Sequence, residues 1–592
     1  MSILMHGYNG VIWRSMLYYY ANSEDRSYMY LKQSRFKNGR IYLSLCESYL
    51  KDKISKTRTV RSLGYLDDLE KLYEDPIAHF KAEAAKLTEE QRKADEPVLI
   101  EFYPKEKIDM RTDHVKNLGH AVLSFYYHRL RIDRFWDNRR MRGDFDYNPN
   151  AIFKLLVYER ILDPGSKARA FRNKHLFSDR MDFTQDDMYR CLSFLSGYER
   201  ALISWIDKAI GDLRKRKDDI IYYDVTNYYF EIEREDVLRR RGVSKEHRPN
   251  PIIQMGLALD EDGLPLDYRL FEGNTNDCLT LLPVLKDLKA QHGGVHVIVV
   301  ADKGLNTSDN IAANILDRNG FVFSQSVRHG TAALKEWVCD ESGYTGGDDF
   351  KIKGRMAEKT LTIEDSEGKR KKIAVEVREV AFWSRDFAVR SKAERKAVIE
   401  KSLAYVQREG IGTAKAHTAV RYVNDIAVVK DTGEAAEHIF EFDTDKIAAD
   451  EAMDGYYCLI TNELDKTPGE IIDIYRGLWR IEETFRVTKS TLETRPVYVS
   501  RHDRIHAHFM TCYVALVLLR LIQSDLGWQH SAQEIAEDLS AMNGTLMKKN
   551  YYLFGHRTHL SDELGRLCGI DLSRDMLSTE EIRNILAKTK RS

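Results

Sequence analysis

The stretch IIYYDVTNYYFEIE, residues 220–233, decides how the rest of the chain is read. Its residues are mostly β-branched or aromatic, the types that fit a pleated, half-buried surface, so the local expectation is a strand. Asp224 interrupts it where another apolar side chain would pack better. A carboxylate among bulky apolar neighbours is costly unless it is paired or binds a cation. The residues C-terminal to it set this strand in a fold. After a basic loop come IIQMGLAL (252–259), the turn Asp260-Glu261-Asp262-Gly263 and LDYRLFEG (266–273), which together predict an antiparallel meander. A helix over LTLLPVLKDLKA (279–290) leads to the apolar strand VHVIVVAD (295–302), which ends on Asp302. Another helix, starting near Thr307-Ser308-Asp309, leads to FVFSQSV (321–327). The expected order is βββαβαβ.

Outward from this core the patterning divides the chain further. Residues 1–70 predict a small basic β module, because YMYLKQSRF and IYLSLCESYL alternate around Lys37-Asn38-Gly39-Arg40, and Asn-Gly is a strong hairpin signal. From Arg26 to Arg61 ten basic residues face two acids. Residues 71–215 read as mainly helical and 216–329 as the first part of the core. Residues 330–465 contain the strand-like runs FKIKG, KTLTIED, KKIAVEVREVAFW, YVNDIAVVK and YYCLITNE around a charged helical stretch from Ser391 to Val406, which predicts a β-rich insertion. Residues 466–510 resume the core with one long helix over Thr467–Lys489, Pro468 near its start and Glu470 in its first turn. A helical C-terminal region covers 511–592.

The 592 residues are 43% hydrophobic and 31% charged with no low-complexity tract, which predicts folded structure throughout in several domains. Seven scattered cysteines without a CxxC pair read as reduced, structural thiols of a cytoplasmic protein. There is no basic-then-apolar signal pattern. The longest apolar run, YVALVLLRLI (513–522), is broken by Arg520 and too short to span a bilayer, so no membrane is expected. A formal net charge of −1 gives no global attraction to nucleic acid, so such a partner must be met by local basic patches.

Three carboxylates carry the chemistry. Asp224 and Asp302 can converge if their strands are neighbours, although Asp302 before Lys303-Gly304 also reads as a turn residue. In YRGLWRIEETFRVTK (475–489), Tyr475, Glu482 and Lys489 recur at seven-residue spacing and share one helical face at about 100° per residue. Leu478, Trp479, Ile481 and Phe485 can dock that helix. The alternative for Glu482 is an i,i+4 ion pair with Arg486 on a solvated face. Two strand aspartates and a helix glutamate supply the hard oxygen ligands of a two-metal phosphoryl-transfer site.

With these motifs in hand, the chain resembles the DDE-type, cut-and-paste transposases of bacterial insertion sequences, the branch whose third motif is Tyr-x2-Arg-x3-Glu-x6-Lys. The likeness rests on YYDVTNYYFE, FEGNTNDCLTLLPVL, VVADKGL, GYYCLITNELDKTPGEIIDIYRGLWRIEETFRVTK and RPVYVSRHDRIHAHF, spanning residues 220–510. It implies an α/β multidomain chain with a ribonuclease-H-like catalytic core interrupted by the β-rich insertion, an N-terminal β/α DNA-binding region and a helical C-terminal region. It further implies Asp224, Asp302 and Glu482 as catalytic and metal-binding residues, two Mg²⁺ ions for which Mn²⁺ can substitute, and double-stranded DNA ends and target as partners. A homodimer on paired ends and, commonly, a hairpin on the transposon end also follow from the family. Tyr475 and Lys489 match motif residues that approach DNA phosphates. The motif arginine is absent, since its slot is Leu478, and Arg476, Arg480 and Arg486 are the nearby substitutes.

Further DNA contacts are expected from Arg35, Lys37 and Arg40 of the basic hairpin and from Arg139 and Arg140 of the helical region, all as phosphate contacts that position without reading sequence. GNTND (273–277) reads as a tight turn, His506 and His508 as helix packing or surface, and Trp479 as core. The expected activity is hydrolysis at the element ends followed by joining of the 3′-hydroxyls to target DNA. The competing readings are a nuclease of the same fold without strand transfer and a catalytically inactive DNA-binding relative.

Overall fold

Alternation in residues 28–65 builds three strands, β1 (Tyr28–Arg35), β2 (Ile41–Lys51) and β3 (Ile54–Tyr65), paired in chain order into one antiparallel sheet. Arg35 pairs with Ile41 across the turn, where Gly39 takes φ +82°, a left-handed value that glycine adopts without a steric penalty. The helix Pro76–Ala94 covers this sheet around a core of Leu43, Leu69 and Phe80. A bond from Met29 N–H to Thr88 Oγ1 at 3.0 Å fastens the two together. The basic module therefore continues through a helix that the sequence pattern assigns to the helical region.

The computed structural model describes residues 28–36, 39–51, 54–94, 103–105, 107, 110, 114–245, 248–292, 296–364, 369–409, 421–428 and 437–591. Lys37 lies outside them. The chain divides into two units, residues 1–108 and 109–592. In the second, β4 (Val115–Asn117) precedes helices that run from His120 to Leu213. Asn148 caps one of these, its side chain accepting from Ala151 N–H at 3.3 Å, with Pro149 in the first helical position.

The described residues then form one nine-stranded mixed sheet. Strands β5 (Ile220–Tyr229), β6 (Ile252–Leu259) and β7 (Pro265–Glu272) make the expected meander. The helix Leu281–His292, β8 (Ile298–Ala301), the helix Ser308–Leu316 and β9 (Gly320–Gln325) complete the order βββαβαβ. Both β8 and β9 run parallel to β5, as helical crossovers demand. From the insertion, β10 (Thr345–Gly346), β11 (Phe350–Glu364) and β12 (Arg370–Ser384) follow. A separate hairpin of β13 (Val423–Val428) and β14 (Glu437–Phe442) comes next, and then β15 (Tyr456–Thr461). The sheet order is β10-β11-β12-β15-β9-β8-β5-β6-β7, so four strands of the segment 330–465 widen the core sheet while β13 and β14 form a sheet of their own.

Each face of the sheet has its own apolar layer. Ile221, Tyr223, Val225, Val299, Ala301 and Phe323 pack with the crossover helices. Tyr222, Tyr228, Val300 and Val322 pack with the large helical layer, at whose centre lies the helix His502–Asp525. That helix is long and apolar enough to cross a membrane by length and composition, but 94% of its most apolar window is buried in the protein. Arg520, 1% exposed, donates to the Glu483 carboxylate, to Thr484 Oγ1 at 2.7 Å and to Gln523 Oε1 at 2.8 Å. The C-terminal region is not wholly helical: β16 (Asn543–Leu546), β17 (Tyr551–Phe554) and β18 (Met576–Ser578) form a four-stranded sheet with β4. Strands of three or four residues leave too few alternations to be legible in sequence.

Opposite β5, the single long helix expected over Thr467–Lys489 is three pieces. Thr467 and Glu470 close a capping box on the helix Pro468–Arg476. Gly477 and Leu478 tighten the chain with i→i+3 bonds, the helix Trp479–Arg486 follows, and Val487–Thr491 opens into a π turn. Gly477 is required by a close approach, since a Cβ there would lie 1.8 Å from the buried Tyr222 hydroxyl. Gly477→Ala should therefore destabilise the fold by about 1–3 kcal/mol, seen as an earlier denaturation midpoint. Tyr222→Phe in the same chain should recover part of that loss.

Candidate active site

The parallel register of β5 and β8 pairs Ile220 with Ile298, Ile221 with Val299 and Tyr222 with Val300. Asp224 and Asp302 have the same separation along the chain as each of these pairs. Carried two residues past the last pair, the register sets the two aspartates side by side, with backbones about 5 Å apart. The β8–β9 register, in which Ala301 faces Phe323, brings Ser324 next in the row, and Ser324 Oγ donates to Asp302 Oδ1 at 2.7 Å. Alternation puts all three on the face of Tyr222, Val300 and Val322, beneath the segment 468–491. Asp302 also serves as the turn residue of the alternative reading, standing just ahead of the short turn Lys303–Leu305.

Burial at the centre of β5 pushes the Asp224 carboxyl up to about 6. The Lys245 ammonium and the Val225 N–H pull the other way, and the charges of Asp302 and Asp277 push it further up. Tyr475 is held by Tyr457, hydroxyl to hydroxyl at 2.9 Å, and burial raises both phenols. The charge of Asp302 reaches both phenols, and that of Glu482 reaches Tyr457. Burial lowers the Lys489 ammonium to about 8, with Lys245 adding to the fall and Asp224 opposing it. Tyr475 thus senses Asp302 and Lys489 senses Asp224, while Glu482 is registered only at Tyr457, on a helix that is not continuous. Glu482 is exposed and, among the described residues, makes no ion pair with Arg486.

Two residues at this place carried no assignment from sequence. Lys245 comes from the basic loop after β5, and its Nζ donates to the Val225 carbonyl. Asp277 belongs to GNTND, where the expected turn is found. Gly273 in that turn is indispensable, because a Cβ would fall 2.1 Å from the Ile252 carbonyl oxygen and 2.3 Å from that of Arg240.

Other expectations are redistributed. Leu478, Ile481 and Phe485 are buried, but Trp479 is 57% exposed, being about 200° around the helix from Ile481. It lines a cleft of about 330 Å³ with Arg480, Glu483, Arg520 and Trp528. Arg476 pairs with Asp473 at 3.1 Å and Arg480 lies 5.9 Å over Tyr222, while Arg486 is exposed. Arg40 is engaged by Asp67 at 2.6 Å and Asp68 at 2.7 Å, whereas Arg35 is exposed. Arg139 packs on Phe135 at 3.3 Å and Arg140 is exposed. His508 is buried between Lys167 and the Thr494 carbonyl, and His506 meets Glu199 at 2.7 Å, which accords with packing roles.

Residues 239–518 match the family described as Transposase DDE domain, and residues 31–98 match the IS1634 family transposase N-terminal domain. The two matches support an insertion-sequence DDE transposase. Asp302 and Glu482 fall inside the larger match, and Asp224 lies ahead of its start. Among solved structures the chain is similar to a piggyBac transposase synaptic complex with hairpin DNA, at 8% identity and a TM-score of 0.34, over 80% of this chain and 84% of that one. It is also similar to a Mos1 transposase paired-end complex with the left transposon end, at 11% identity and a TM-score of 0.13, over 33% of this chain and 62% of that one. No curated protein matches it.

The DDE family is generally dependent on divalent metals. The donor chemistry here fits such an ion: the candidates offer only oxygen, and Asp224 and Asp302 are neighbouring carboxylates whose mutual repulsion a cation would relieve. The side chains are not drawn together around one point, however, and among the described residues no group of three His, Cys, Asp or Glu is placed to hold a metal ion.

The raised Asp224 sets a pH dependence. Between the ordinary carboxylate value near 3.8 and about 6 the folded chain holds a proton that the unfolded chain has lost, so stability falls as pH rises through this window. In metal-free protein, Asp224→Asn should leave stability unchanged below pH 4 and increase it above pH 6 by up to about 3 kcal/mol. Denaturation midpoints measured across pH 3.5–7.5 check both limbs.

Proposed function

We propose that this DNA transposase binds the terminal inverted repeats of its element, hydrolyses the phosphodiester at each end and joins the freed 3′-hydroxyls to target DNA. The observation that supports the reading is the β5–β8 register, which carried on by two residues pairs Asp224 with Asp302; Glu482, on the helix Trp479–Arg486, is the third carboxylate of the reading. The strand order β7-β6-β5-β8-β9, antiparallel through the meander and parallel from β5 to β9, supports a ribonuclease-H-like core.

In this reading Asp224, Asp302 and Glu482 hold a pair of divalent cations, Mg²⁺ or Mn²⁺. When bound, such ions activate a water or 3′-hydroxyl and neutralise charge at the phosphate under attack. The protein's own part is positioning. β5 and β8 fix two carboxylates rigidly, Ser324 orients Asp302, and the Tyr457–Tyr475 contact braces the segment that carries Glu482. Lys489, from the π turn, places positive charge beside Asp224 where a phosphate would approach. Pairing of two element ends implies a homodimer on DNA.

The test uses the full chain with Mg²⁺, the DNA flanking its coding sequence as pre-cut ends and a supercoiled plasmid as target. Wild type should give joined product. Asp224→Asn, Asp302→Asn and Glu482→Gln should each lower cleavage by at least about 10³-fold, roughly 4 kcal/mol of barrier, while end binding survives. Fragments without joined product would identify a nuclease of the same fold, and cleavage by Asp224→Asn would remove that residue from the site.

A further inference from the structure

From Arg239 to Arg248 the loop between β5 and β6 holds five Lys and Arg residues against one acid, and it lies against the strand that carries Asp224. Two bonds strap it along β5: the buried Asn227 donates through Nδ2 to the Val243 carbonyl at 3.1 Å, and Lys245 Nζ donates to the Val225 carbonyl, next to Asp224. Gly242 allows this path, since a Cβ there would lie 2.0 Å from the Gly273 carbonyl oxygen. Further along the loop, Arg248 sits 4.1 Å over the ring of Tyr229, and Arg495 approaches the same ring at 5.4 Å. Lys489 stands 5.8 Å over the neighbouring Tyr228. Four cations therefore gather over the C-terminal half of β5. Lys245 and Arg248 are exposed and, among the described residues, have no ion pair.

Exposed cations held in place with no ion pair among the described residues are a binding surface for an anion, and the carboxylate that Lys245 faces, Asp224, belongs to a site that would act on phosphodiesters. We infer that Lys245 and Arg248 form a phosphate ledge for the DNA strand that passes Asp224 and Asp302. This rests on the transposase reading and adds to it residues from outside the third motif. Val225 and Tyr229, the anchors of the two side chains, are separated by roughly 13 Å of strand. That equals the rise of about four nucleotides of duplex, so the ledge spans several phosphates. It holds backbone and carries no sequence preference.

The test is binding of the full chain to a mixed-sequence duplex across about 50–200 mM salt, with metal-dependent nicking of a supercoiled plasmid alongside. Lys245→Ala should lower the slope of log K against log salt by about 0.9, and the double variant with Arg248→Ala by about 1.8. Lys245→Arg should keep the wild-type slope. A Lys245→Ala chain with an unchanged slope overturns the ledge, and if it also melts earlier, Lys245 is only a tie for the loop. Wild-type chain that neither binds nor nicks DNA would overturn the transposase reading itself, so the two failures are distinguishable.

Discussion

The parallel register of β5 and β8 is the constraint on which the site depends. A slip of one residue would turn Asp302 to the opposite face, among Val299, Ala301 and the crossover helices, and leave Asp224 without its neighbour. Burial on both faces forbids that slip, because the same slip would move every apolar side chain of β8 into the wrong layer. A fully buried strand pair is thus a precise ruler for two short acidic side chains. The penalty appears at Asp224, whose carboxyl is raised by the burial that fixes it. An exposed pair of aspartates would ionise more easily but would not be held in register.

The segment opposite meets this ruler with two departures from the α-helix. Tightening at Gly477 and Leu478 advances the winding, and the π turn at Val487–Thr491 retards it. The two act in opposite directions, so their effects offset between Tyr475 and Lys489, whereas Glu482, lying between them, feels only the tightening and is exposed. Each departure has a local cause. Gly477 passes against the Tyr222 hydroxyl, and the π turn ends where Arg160 binds the Leu492 and Glu493 carbonyls at 3.3 and 3.1 Å. Arg160 comes from the helix Pro149–Leu162, far earlier in the chain. The N-terminal helices of the second unit are in this sense part of the frame that shapes the third motif.

Much of this was legible in sequence. β6 spans the residues its alternation predicts, and β7 and β9 agree within a residue or two at their ends, because short apolar runs bounded by Gly and Asp leave little choice of register. The spacing of the two aspartates was visible too, but its meaning required the pairing of β5 with β8, which no local pattern encodes. For the same reason 330–465 read as an insertion: alternation identifies β11, β12 and β15 as strands without saying which sheet they join. Trp479 was misread because its apolar type grouped it with Leu478, Ile481 and Phe485, although it stands about 200° around the helix from Ile481. Lys245 was invisible as an individual, since only the folded loop brings one lysine of a basic run to the Val225 carbonyl.

Charge shows most clearly the distance between composition and available function. The hairpin of residues 26–61 has a basic excess in sequence, yet Arg40 is taken up by Asp67 and Asp68, Arg58 by Glu47 and Arg61 by Glu83. The arginines of these pairs reach solvent, but each already has a carboxylate partner, so a phosphate can claim them only by displacing that carboxylate. The loop after β5 is arranged the other way. Its cations are few, but Lys245 is held near Asp224 by a backbone contact and Arg248 over Tyr229 by a ring contact, and among the described residues neither has an ion pair. A polyanion binds such groups without breaking an ion pair to any described residue. For the proposed ledge, what matters is therefore which cations have no acidic partner among the described residues, and counting lysines and arginines along the chain does not reveal that.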